Sequence, residues 1–305
     1  MSITTKEHTI ISKHYISPSI RNKIDTKSLT LLIEAPIGRG AFAEVKVMSS
    51  KKGDVYAVKE IDKRRLEGQT SSELVRNEVL IHQSLVHMNI IRLLSVDEDS
   101  NFIRLVLEYA PNGNLFNFIR RKGFLEEKEA ARIFYGIVKG VQYLHNKKII
   151  HRDLKPENIL LIDEIPKIID FGWSTESKGN KHKNLCGTLE YMGPEVIYSG
   201  CYGHKIDIWA LGILLYEMLH GKAPIRAKSV IDMAKAFSEP LEFEYRSDVS
   251  DSAKSLINSI LKIDADERPE IEDILTHSWL DSELANDIEW EDGRRDFEHN
   301  SKQCK

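Results

Sequence analysis

Two short segments combine carboxylates, an amide and a lysine at close spacing. In "HRDLKPEN" the side chains of Asp153, Lys155 and Asn158 belong to one loop, and in "DFG" Asp170 adds a second carboxylate. Asp153 can accept or orient a hydroxyl proton, and Lys155 can neutralise charge on a phosphoryl group in transit. The oxygens of Asn158 and Asp170 are hard ligands of the kind that Mg²⁺ prefers. These residues therefore predict metal-assisted phosphoryl transfer, which depends on positioning and charge neutralisation.

The segment "IGRGAFAEV" has the composition of a phosphate-binding loop. Gly38 and Gly40 allow a tight turn between strands and let backbone N–H groups approach an anion. Ala43 stands where such loops often have a third glycine, and it leaves less conformational freedom. Taken alone, the pattern fits an ordinary hairpin turn equally well.

A lysine and a glutamate further along the chain could complete a phosphate site. "YAVKEI" places Lys59 on a strand, from which it could reach the α- and β-phosphates of a nucleotide held by the glycine loop. Glu78 shares one helix face with Val75 and Val79, which favours an inward position where it could hold Lys59. The alternatives are a solvated lysine on a sheet edge and an exposed helical carboxylate.

The elements that must position these groups divide into a strand-rich part and a helical part. Residues 30–107 consist mostly of short β-branched or aromatic runs that predict strands, interrupted by one helix at about 72–86. Residues 130–144 then repeat apolar side chains with helical periodicity. Further helices are expected near 205–220, 252–262 and 270–277. The pattern predicts an α+β fold, with a small β-rich lobe that contains one main helix and a larger α-helical lobe.

Composition and charge restrict the function classes. The 305 residues carry a formal net charge of −4 and the pI is about 6.3, so we expect no nucleic acid and no membrane as partners. The longest apolar run, 208–216, is too short to cross a bilayer, and the N-terminus lacks the apolar core of a signal peptide. Cys186, Cys201 and Cys304 lack metal-ligand spacing, which favours a reduced, cytoplasmic or nuclear setting.

The two ends of the chain differ in charge from each other. Residues 1–28 contain five Lys/Arg against two Asp/Glu and predict a flexible basic tail. Residues 281–305 contain eight Asp/Glu and four Lys/Arg with few apolar side chains, and they predict an acidic, disordered tail. Residues 29–280 would form the folded domain.

The motifs occur in the order that is typical of the eukaryotic protein kinases, and about residues 30–280 resemble that family. In this chain they are the glycine loop, the strand lysine, the helix glutamate, "HRD", "DFG" and "GPE". The resemblance implies a bilobal protein kinase fold, with an N-lobe at 29–107, a hinge at 108–113 and a C-lobe at 114–280.

The resemblance also implies ATP and Mg²⁺ as cofactors, and it implies roles for individual residues. The residues implied to act in catalysis are Asp153, Lys155, Lys59 and Glu78. Those implied to hold Mg²⁺ are Asn158 and Asp170. Those implied to line the ATP site are Ile37, Gly38, Gly40, Val45, Ala57, Lys59, Leu107, Glu108, Ala110 and Leu160. Among these, Asp153 would be the catalytic base, and Lys155 after "HRDL" is typical of serine/threonine kinases.

Within the kinases, the chain resembles the Aurora group more than any other. Trp173 directly after "DFG", followed by Ser174 and later by "LCGTLEYMGPE", carries this resemblance. The polo-like group comes second, because Ala43 in "GRGAFAE" resembles its phosphate loop. The Aurora resemblance implies a role in mitosis or cell-cycle control, with association to spindle or centrosome.

Protein substrates with a target Ser or Thr are implied, and two acidic residues suggest their sequence. Glu157 and Glu217 stand where kinases that prefer basic substrates carry carboxylates.

His82 occupies a position where most kinases have an apolar residue, which favours a helix stabilised by an activating protein at the N-lobe. A histidine satisfied by water is an equal alternative. We expect a monomer.

Four further residues are implied to serve the scaffold. Glu195 of "GPE" should pair with Arg268 of "DERPE". His151 and Phe171 should stack beneath His82.

The chain departs from the Aurora pattern at two positions of one phosphate clamp. The residue before "LCGT" is Asn184, where Aurora and polo-like kinases have a phosphorylatable threonine, and the helix residue before Glu78 is Asn77 where an arginine is usual. Activation without that threonine is therefore expected. The loop could be ordered without phosphate, or by a partner, or a nearby hydroxyl could serve instead. The hydroxyl residues in question are Ser174, Thr175 and Ser177.

A pseudokinase or scaffold that binds partners without phosphotransfer is the alternative from a different class. The motif residues for phosphotransfer are all present, which argues against it. A small-molecule kinase is disfavoured by "GTLEYMGPE", which builds a peptide-docking surface in protein kinases.

Overall fold

The computed structural model describes most of the region that the sequence predicts to fold. It describes residues 10–11, 16–18, 20, 23–40, 42–66, 68–177, 187–200 and 202–285. These residues form two compact units. The first, called here the sheet unit, lies within Met1–Leu115 and Tyr143–Asn180, and the second, the helical unit, lies within Phe116–Gln142 and Lys181–Lys305. Asn184, the three cysteines and the predicted acidic tail beyond residue 285 lie outside the described residues.

An antiparallel sheet forms the centre of the sheet unit. Its strands are β1 (Thr30–Leu31), β2 (Gly38–Arg39), β3 (Ala43–Ser49), β4 (Val55–Asp62), β5 (Leu93–Glu98) and β6 (Phe102–Glu108). They are ordered β1-β3-β4-β6-β5, with β2 paired to β3. The β-branched and leucine residues predicted to form strands are buried here, with Val58, Ile103 and Val106 fully inaccessible. The predicted α+β fold, with a β-rich unit and a helical unit, is confirmed.

One helix crosses the sheet unit, as predicted, but with shifted ends. Helix α1 spans Gly68–His82 rather than 72–86. Val75 and Val79 are buried on its inner face, whereas Val86, predicted to share that face, is 67% exposed. Val86 lies past the end of the helix, where its N–H donates to the Tyr143 hydroxyl at 2.9 Å. The apolar residues of the sequence therefore keep helical spacing beyond His82, where the helix itself ends.

Two small strand pairs in the sheet unit hold the "HRD" and "DFG" segments. β7 (Ile149–Ile150) pairs with β10 (Thr175–Glu176), and β8 (Ile159–Ile162) pairs with β9 (Ile165–Ile168). The predicted division placed all residues from 114 to 280 in one lobe. In the structure, the described residues from Tyr143 onward to Ser177 instead group with the sheet, because these strand pairs are tied to it.

The predicted flexible tail at 1–28 is corrected for its described residues. Ile10, Ile11 and Ile16 are buried and belong to the same hydrophobic cluster as the sheet and α1. Val96 N donates to Ile20 O at 3.1 Å, which ties this segment to β5. Apolar burial explains the difference, since the basic residues that suggested a tail alternate with isoleucines that find a partner surface.

The remaining elements are helical. They are α2 (Leu115–Lys122), α3 (Glu127–Asn146), α4 (Pro194–Tyr198), α5 (Lys205–His220), α6 (Val230–Ala236), α7 (Asp251–Ile260), α8 (Ile271–Leu275) and α9 (Ser278–Leu284). The predicted inner face of α3 is confirmed, since Phe134, Ile137 and Val141 are fully buried. Helix α5 is apolar on nearly all sides and lies in the core of the helical unit. None of the described helices has the length and hydropathy that a membrane span requires.

Candidate active site

A lysine and a glutamate from different elements meet beside the sheet. Strand β4 carries Lys59 between its paired neighbours Val45 on β3 and Leu105 on β6. Helix α1 brings Glu78, which is only 7% exposed. The Lys59 Nζ atom lies 2.5 Å from Glu78 Oε1. The structure therefore brings this predicted pair together, and the inward position of Glu78 follows from the buried helix face that it shares with Val75 and Val79.

Asp170 stands on the other side of Lys59. Its Oδ1 atom lies 3.9 Å from Lys59 Nζ. Burial by itself lowers the pKa of Lys59, but Glu78 and Asp170 outweigh that effect and raise it. Burial likewise acts to raise the pKa of Asp170, and the Lys59 charge turns the shift downward. Both groups are therefore ionised at neutral pH, and the lysine is fixed between two carboxylates.

The "HRDLKPEN" loop concentrates its polar groups on one carboxylate. Asn158 Nδ2 donates to the backbone oxygen of Asp153 at 2.8 Å and to its Oδ2 at 2.9 Å. Lys155 Nζ lies 2.9 Å from the same Oδ2. Asp153 N donates to the ring of His151 at 3.3 Å. Asp153 is 6% exposed, and these contacts orient it, as an acceptor for a hydroxyl proton requires.

The donor set of Asn158 and Asp170 fits a magnesium ion. Because Asn158 Nδ2 is engaged with Asp153, the amide oxygen is the end that remains suited to a cation. Ile169 N donates to the backbone oxygen of Asn158 at 3.0 Å, so the segment that leads into Asp170 runs beside Asn158. One carboxylate and one amide oxygen match the few protein ligands that Mg²⁺ takes beside phosphate oxygens. Among the described residues no cluster of three or more His, Cys, Asp or Glu side chains could hold a metal by itself.

The residues predicted to line a nucleotide lie in the sheet unit. Strand pairing places Gly38 beside Val45 and Ala57 beside Leu107. The predicted hairpin turn is closed by Gly40 N, which donates to Ala43 O at 2.8 Å. A Cβ at Gly38 would lie 3.5 Å from a Val45 methyl carbon, so an added side chain would occupy the space over that apolar residue.

The other predicted lining residues come from the strand ends around this sheet. Glu108 ends β6, and its Oε1 lies 3.2 Å from Lys167 Nζ. Leu160 lies in β8 and is only partly buried, whereas Ala110 is buried and Ile37 is exposed. Leu160 and Ala110 are apolar side chains of the kind that line the pocket of an aromatic base.

Phe171 contacts a histidine on each of two neighbouring segments. Its ring centroid lies 4.8 Å from that of His82 and 5.4 Å from that of His151. The Nε2 atoms of the two histidines bond backbone carbonyls, His82 to Ile91 O at 2.8 Å and His151 to Ile169 O at 3.0 Å. The predicted stack is confirmed. Burial lowers the pKa of His82 to about 4, so this ring is neutral at physiological pH.

Three contacts that sequence reasoning missed hold the chain just after "DFG". Asn77 Nδ2 donates to Ser174 O at 2.7 Å, and Arg152 Nε donates to Trp173 O. Ser174 is fully buried, and its Oγ donates to His151 O at 3.3 Å. In the sequence, Asn77 is notable only because an arginine is usual at this position in the Aurora group. Its amide bonds a backbone carbonyl, which no side-chain motif in the sequence could reveal.

Two residues of the site adopt left-handed backbone conformations. Asp170 has φ 66° and Arg152 has φ 72°. Such conformations cost about 1–3 kcal/mol for residues other than glycine and persist where surrounding contacts impose them. Here the contacts are the Lys59 pair at Asp170 and the bond to Trp173 O at Arg152.

The predicted scaffold pair lies in the helical unit. Arg268 Nη1 and Nη2 donate to Glu195 Oε1 and Oε2, each at 2.8 Å. The Arg268 side chain is fully buried, and its Nε donates to Lys262 O at 2.9 Å. This bidentate arrangement confirms the predicted pair.

Comparison with known proteins gives a consistent family. Residues 32–280 match the protein kinase domain family. The chain is 36% identical over 250 residues to Aurora kinase C of Mus musculus, which covers 81% of this chain and 90% of that protein. It is 36% identical to an Aurora kinase of Schizosaccharomyces pombe over 81% of this chain and 70% of that protein. It is 34% identical to an Aurora kinase of Patiria pectinifera over 83% of this chain, and it spans 63% of that relative.

Proposed function

This chain belongs to the protein kinase family, as a serine/threonine kinase of the Aurora type, and we propose that the cluster around Asp153 and Asp170 carries its reaction. Asp153 accepts the proton of a substrate hydroxyl, and Lys155 neutralises charge on the transferred γ-phosphoryl group. Lys59, held by Glu78, contacts the phosphates of ATP. Bound at Asn158 and Asp170, Mg²⁺ would neutralise phosphate charge. The observation that carries this proposal is the Lys59 pair with Glu78, formed beside Asp170.

The assignment is tested by transfer from radiolabelled ATP to a library of Ser/Thr peptides. Wild-type protein should transfer phosphate, and Asp153→Asn should lower kcat by about 10²–10⁴-fold, because the proton acceptor is lost while the shape is retained. Wild-type protein that binds ATP but transfers nothing under any condition would favour a scaffold. Equal activity of wild type and Asp153→Asn would remove the proposed base.

Basic residues before the target are the proposed substrate feature. Glu157 is exposed on its loop, and Glu217 of α5 accepts a hydrogen bond from the Tyr191 hydroxyl, which fixes its carboxylate. Both could pair with an arginine of a peptide. Replacement of peptide arginines by alanine should raise KM, and Glu157→Gln should reduce that discrimination. A wild-type enzyme that ignores the arginines would contradict this preference.

The cellular setting is proposed from the family. The relatives are named Aurora kinases, which supports a role in mitosis and a cytoplasmic or nuclear location, at spindle or centrosome. We also propose a monomeric enzyme. Fluorescent fusions followed through division test the location, and sedimentation tests the monomer. A fusion that is excluded from both compartments would contradict the proposal.

Activation without the usual threonine is proposed as well. Asn184 lies outside the described residues, but the chain after "DFG" is tied down by Asn77 and Arg152 without any phosphate. Burial of Ser174 makes it a poor acceptor for a phosphoryl group. An activating protein at the N-lobe remains the alternative, which a search for copurifying partners of the active enzyme addresses.

A further inference from the structure

Five residues near the N-terminus pack as a strap on the sheet unit. We call Ile10, Ile11, Ile16, Ser17 and Ile20 the N-terminal strap. Its first three isoleucines are 9%, 1% and 5% exposed, respectively. They share one buried cluster with helix α1 and strands β5 and β6. A segment of this kind, whose isoleucines are separated by polar residues, would remain in solvent unless the apolar contact outweighed the entropy of ordering it.

A single carboxylate captures the first two strap residues. Glu98 Oε1 accepts from Ile10 N at 2.8 Å, and Glu98 Oε2 accepts from Ile11 N at 3.0 Å. Lys63 Nζ also lies 2.9 Å from Oε1. The Glu98 side chain is 10% exposed. Two consecutive backbone donors on one buried, ion-paired carboxylate form a built site that fixes the register of the strap.

The strap also forms hydrogen bonds with residues on either side of Glu78 in the sequence. Arg76 Nε donates to Ile10 O at 3.0 Å. Ser17 N donates to Gln83 Oε1 at 2.9 Å. Arg76 lies two residues before Glu78, and Gln83 directly follows the last residue of α1.

We propose that the N-terminal strap is a cis-acting positioning segment, which holds α1 where Glu78 reaches Lys59. The surface formed by α1 and β5 is then an interaction surface whose occupant is the N-terminal strap of the same chain. Most of the stability of a short amphipathic helix comes from packing of its apolar face. Without the strap, the cluster that contains Val75 and Val79 would lose part of its apolar cover, and α1 would be freer to move Glu78 away. This inference rests on the proposed kinase function.

The test uses the full chain with one buried strap residue replaced. Ile11→Asp places a charge in the cluster and should release the strap. We expect kcat/KM for peptide phosphorylation to fall by about tenfold or more, since burial of a charge without a partner is strongly unfavourable. Hydrogen exchange at residues 75–82 should accelerate. The matched control is Ile231→Asp, because Ile231 is 68% exposed and lies in the helical unit.

A peptide with the sequence of residues 8–24, added in trans to Ile11→Asp, should restore activity and slow the exchange. A second variant, Glu98→Gln, keeps the apolar cluster and removes the charge that captures the strap and pairs with Lys63. It should lower kcat/KM by about tenfold, the effect of losing one charge-assisted hydrogen bond. A global loss of folding in Ile11→Asp would leave Glu98→Gln as the deciding variant.

The proposal is overturned if Ile11→Asp and Glu98→Gln both keep wild-type activity and wild-type exchange in α1. It is also overturned if release of the strap changes hydrogen exchange equally throughout both units, because the strap would then stabilise the whole protein rather than position α1. Failure of the kinase assignment is a separate result: wild-type protein would be inactive, while exchange in α1 would still respond to the strap variants.

Discussion

At the residue scale, the site depends on how Lys59 is held. Its ammonium group lies between Glu78 at 2.5 Å and Asp170 at 3.9 Å, contributed by a helix and by the segment that begins at "DFG". Phosphate binding needs the cation to remain charged and in place. The two carboxylates raise its pKa against the effect of burial. The same two contacts therefore keep the ammonium group charged and in place.

Replacement of Glu78 by glutamine tests this arrangement. The neutral amide cannot raise the pKa of Lys59 or hold it electrostatically, so kcat/KM for ATP should fall by about ten- to a hundredfold, with a smaller effect on unfolding. Steady-state kinetics measure the change. Glu73→Gln is the matched control, because Glu73 is exposed on the same helix, and it should behave like wild type. An equal effect of both variants would point to helix stability rather than to the pair.

Asn77 allows a second test at this scale. Its amide donates to Ser174 O at 2.7 Å. Asn77→Ala should lower kcat about five- to tenfold, the effect of one net hydrogen bond of about 1 kcal/mol. Asn77→Asp should be worse, since a carboxylate cannot donate to a carbonyl oxygen, whereas Asn77→Gln should recover part of the rate. Equal kcat values for the Asp and Gln variants would exclude a role for the donor.

Much of this site could be predicted from the sequence, because its residues belong to short motifs with fixed spacing. Asp153, Lys155 and Asn158 are joined by local bonds, and "DFG" follows close behind. The bond of Asn77 to Ser174 spans 97 residues and ends on a backbone atom. Such a contact depends on how the elements pack, and no local pattern records it.

At the scale of elements, α1 contributes more than its glutamate. Its last residue, His82, is buried against Phe171, and burial lowers its pKa to about 4. The unfolded chain would protonate this ring near its ordinary pKa of about 6.5. Between these values the unfolded state binds more protons than the folded state. Stability is therefore fully present above about pH 6.5 and is lost as the pH falls toward 4.

The pH dependence gives a prediction for His82→Leu. A shift from about 6.5 to about 4 corresponds to about 3 kcal/mol of unfolding free energy lost at acid pH. Urea unfolding at about pH 7 and about pH 4.5 should show a steeper loss for wild type than for His82→Leu. His204→Gln replaces an exposed histidine and should keep the wild-type slope. Parallel curves for wild type and His82→Leu would contradict the depressed pKa.

The helical unit offers a test of its scaffold pair. Arg268→Ala leaves Glu195 in a poorly solvated place without its cation, which should cost about 3–5 kcal/mol of unfolding free energy. Denaturant unfolding measures the loss. Lys254→Ala breaks an exposed pair with Asp251 and should cost less than about 1 kcal/mol. A loss of similar size in the two variants would show that burial does not set the strength of the pair.

The elements themselves were predicted unevenly. The strands β3, β4 and β6 and the helix α3 follow strong periodicity, and α5 follows a long apolar run. The structure has these elements close to where the sequence places them. The N-terminal strap was read as a tail, because its isoleucines are separated by polar and basic residues with no helical or strand period. Their burial depends on a surface that only the folded sheet and α1 provide.

At the scale of the whole molecule, the free energy that orders the loop after "DFG" has to come from a source other than phosphorylation of the usual threonine. A phosphothreonine adds about −1.5 to −2 charge and one to three charge-assisted hydrogen bonds, each worth about 1.5–3 kcal/mol. A shift of a loop from 1:99 to 99:1 requires about 5.5 kcal/mol. One neutral asparagine bond of about 1 kcal/mol does not reach this value, so several small ties must add up or a partner must contribute.

Phosphatase treatment tests this balance in the complete protein. Protein expressed in bacteria and treated with phosphatase should keep at least about half of its kcat, because Asn77, Arg152 and the β7–β10 pairing contain no phosphate. Mass spectrometry must confirm that residues 174–188 carry none. Activity that disappears with the phosphate, together with a mapped site in this range, would overturn phosphate-independent activation.

The N-terminal strap bonds residues far along the chain, which has a consequence for biosynthesis. Ile10 leaves the ribosome long before the carboxylate that captures it, which is 88 residues further along the chain. Until Glu98 has emerged, the nascent chain carries three isoleucines without their partner surface, and transiently exposed apolar segments of this kind are prone to aggregate or to engage chaperones. The strap would thus be translated before the surface that it binds, so bulky fusions directly before the strap should reduce the yield of active enzyme more than fusions placed after α9.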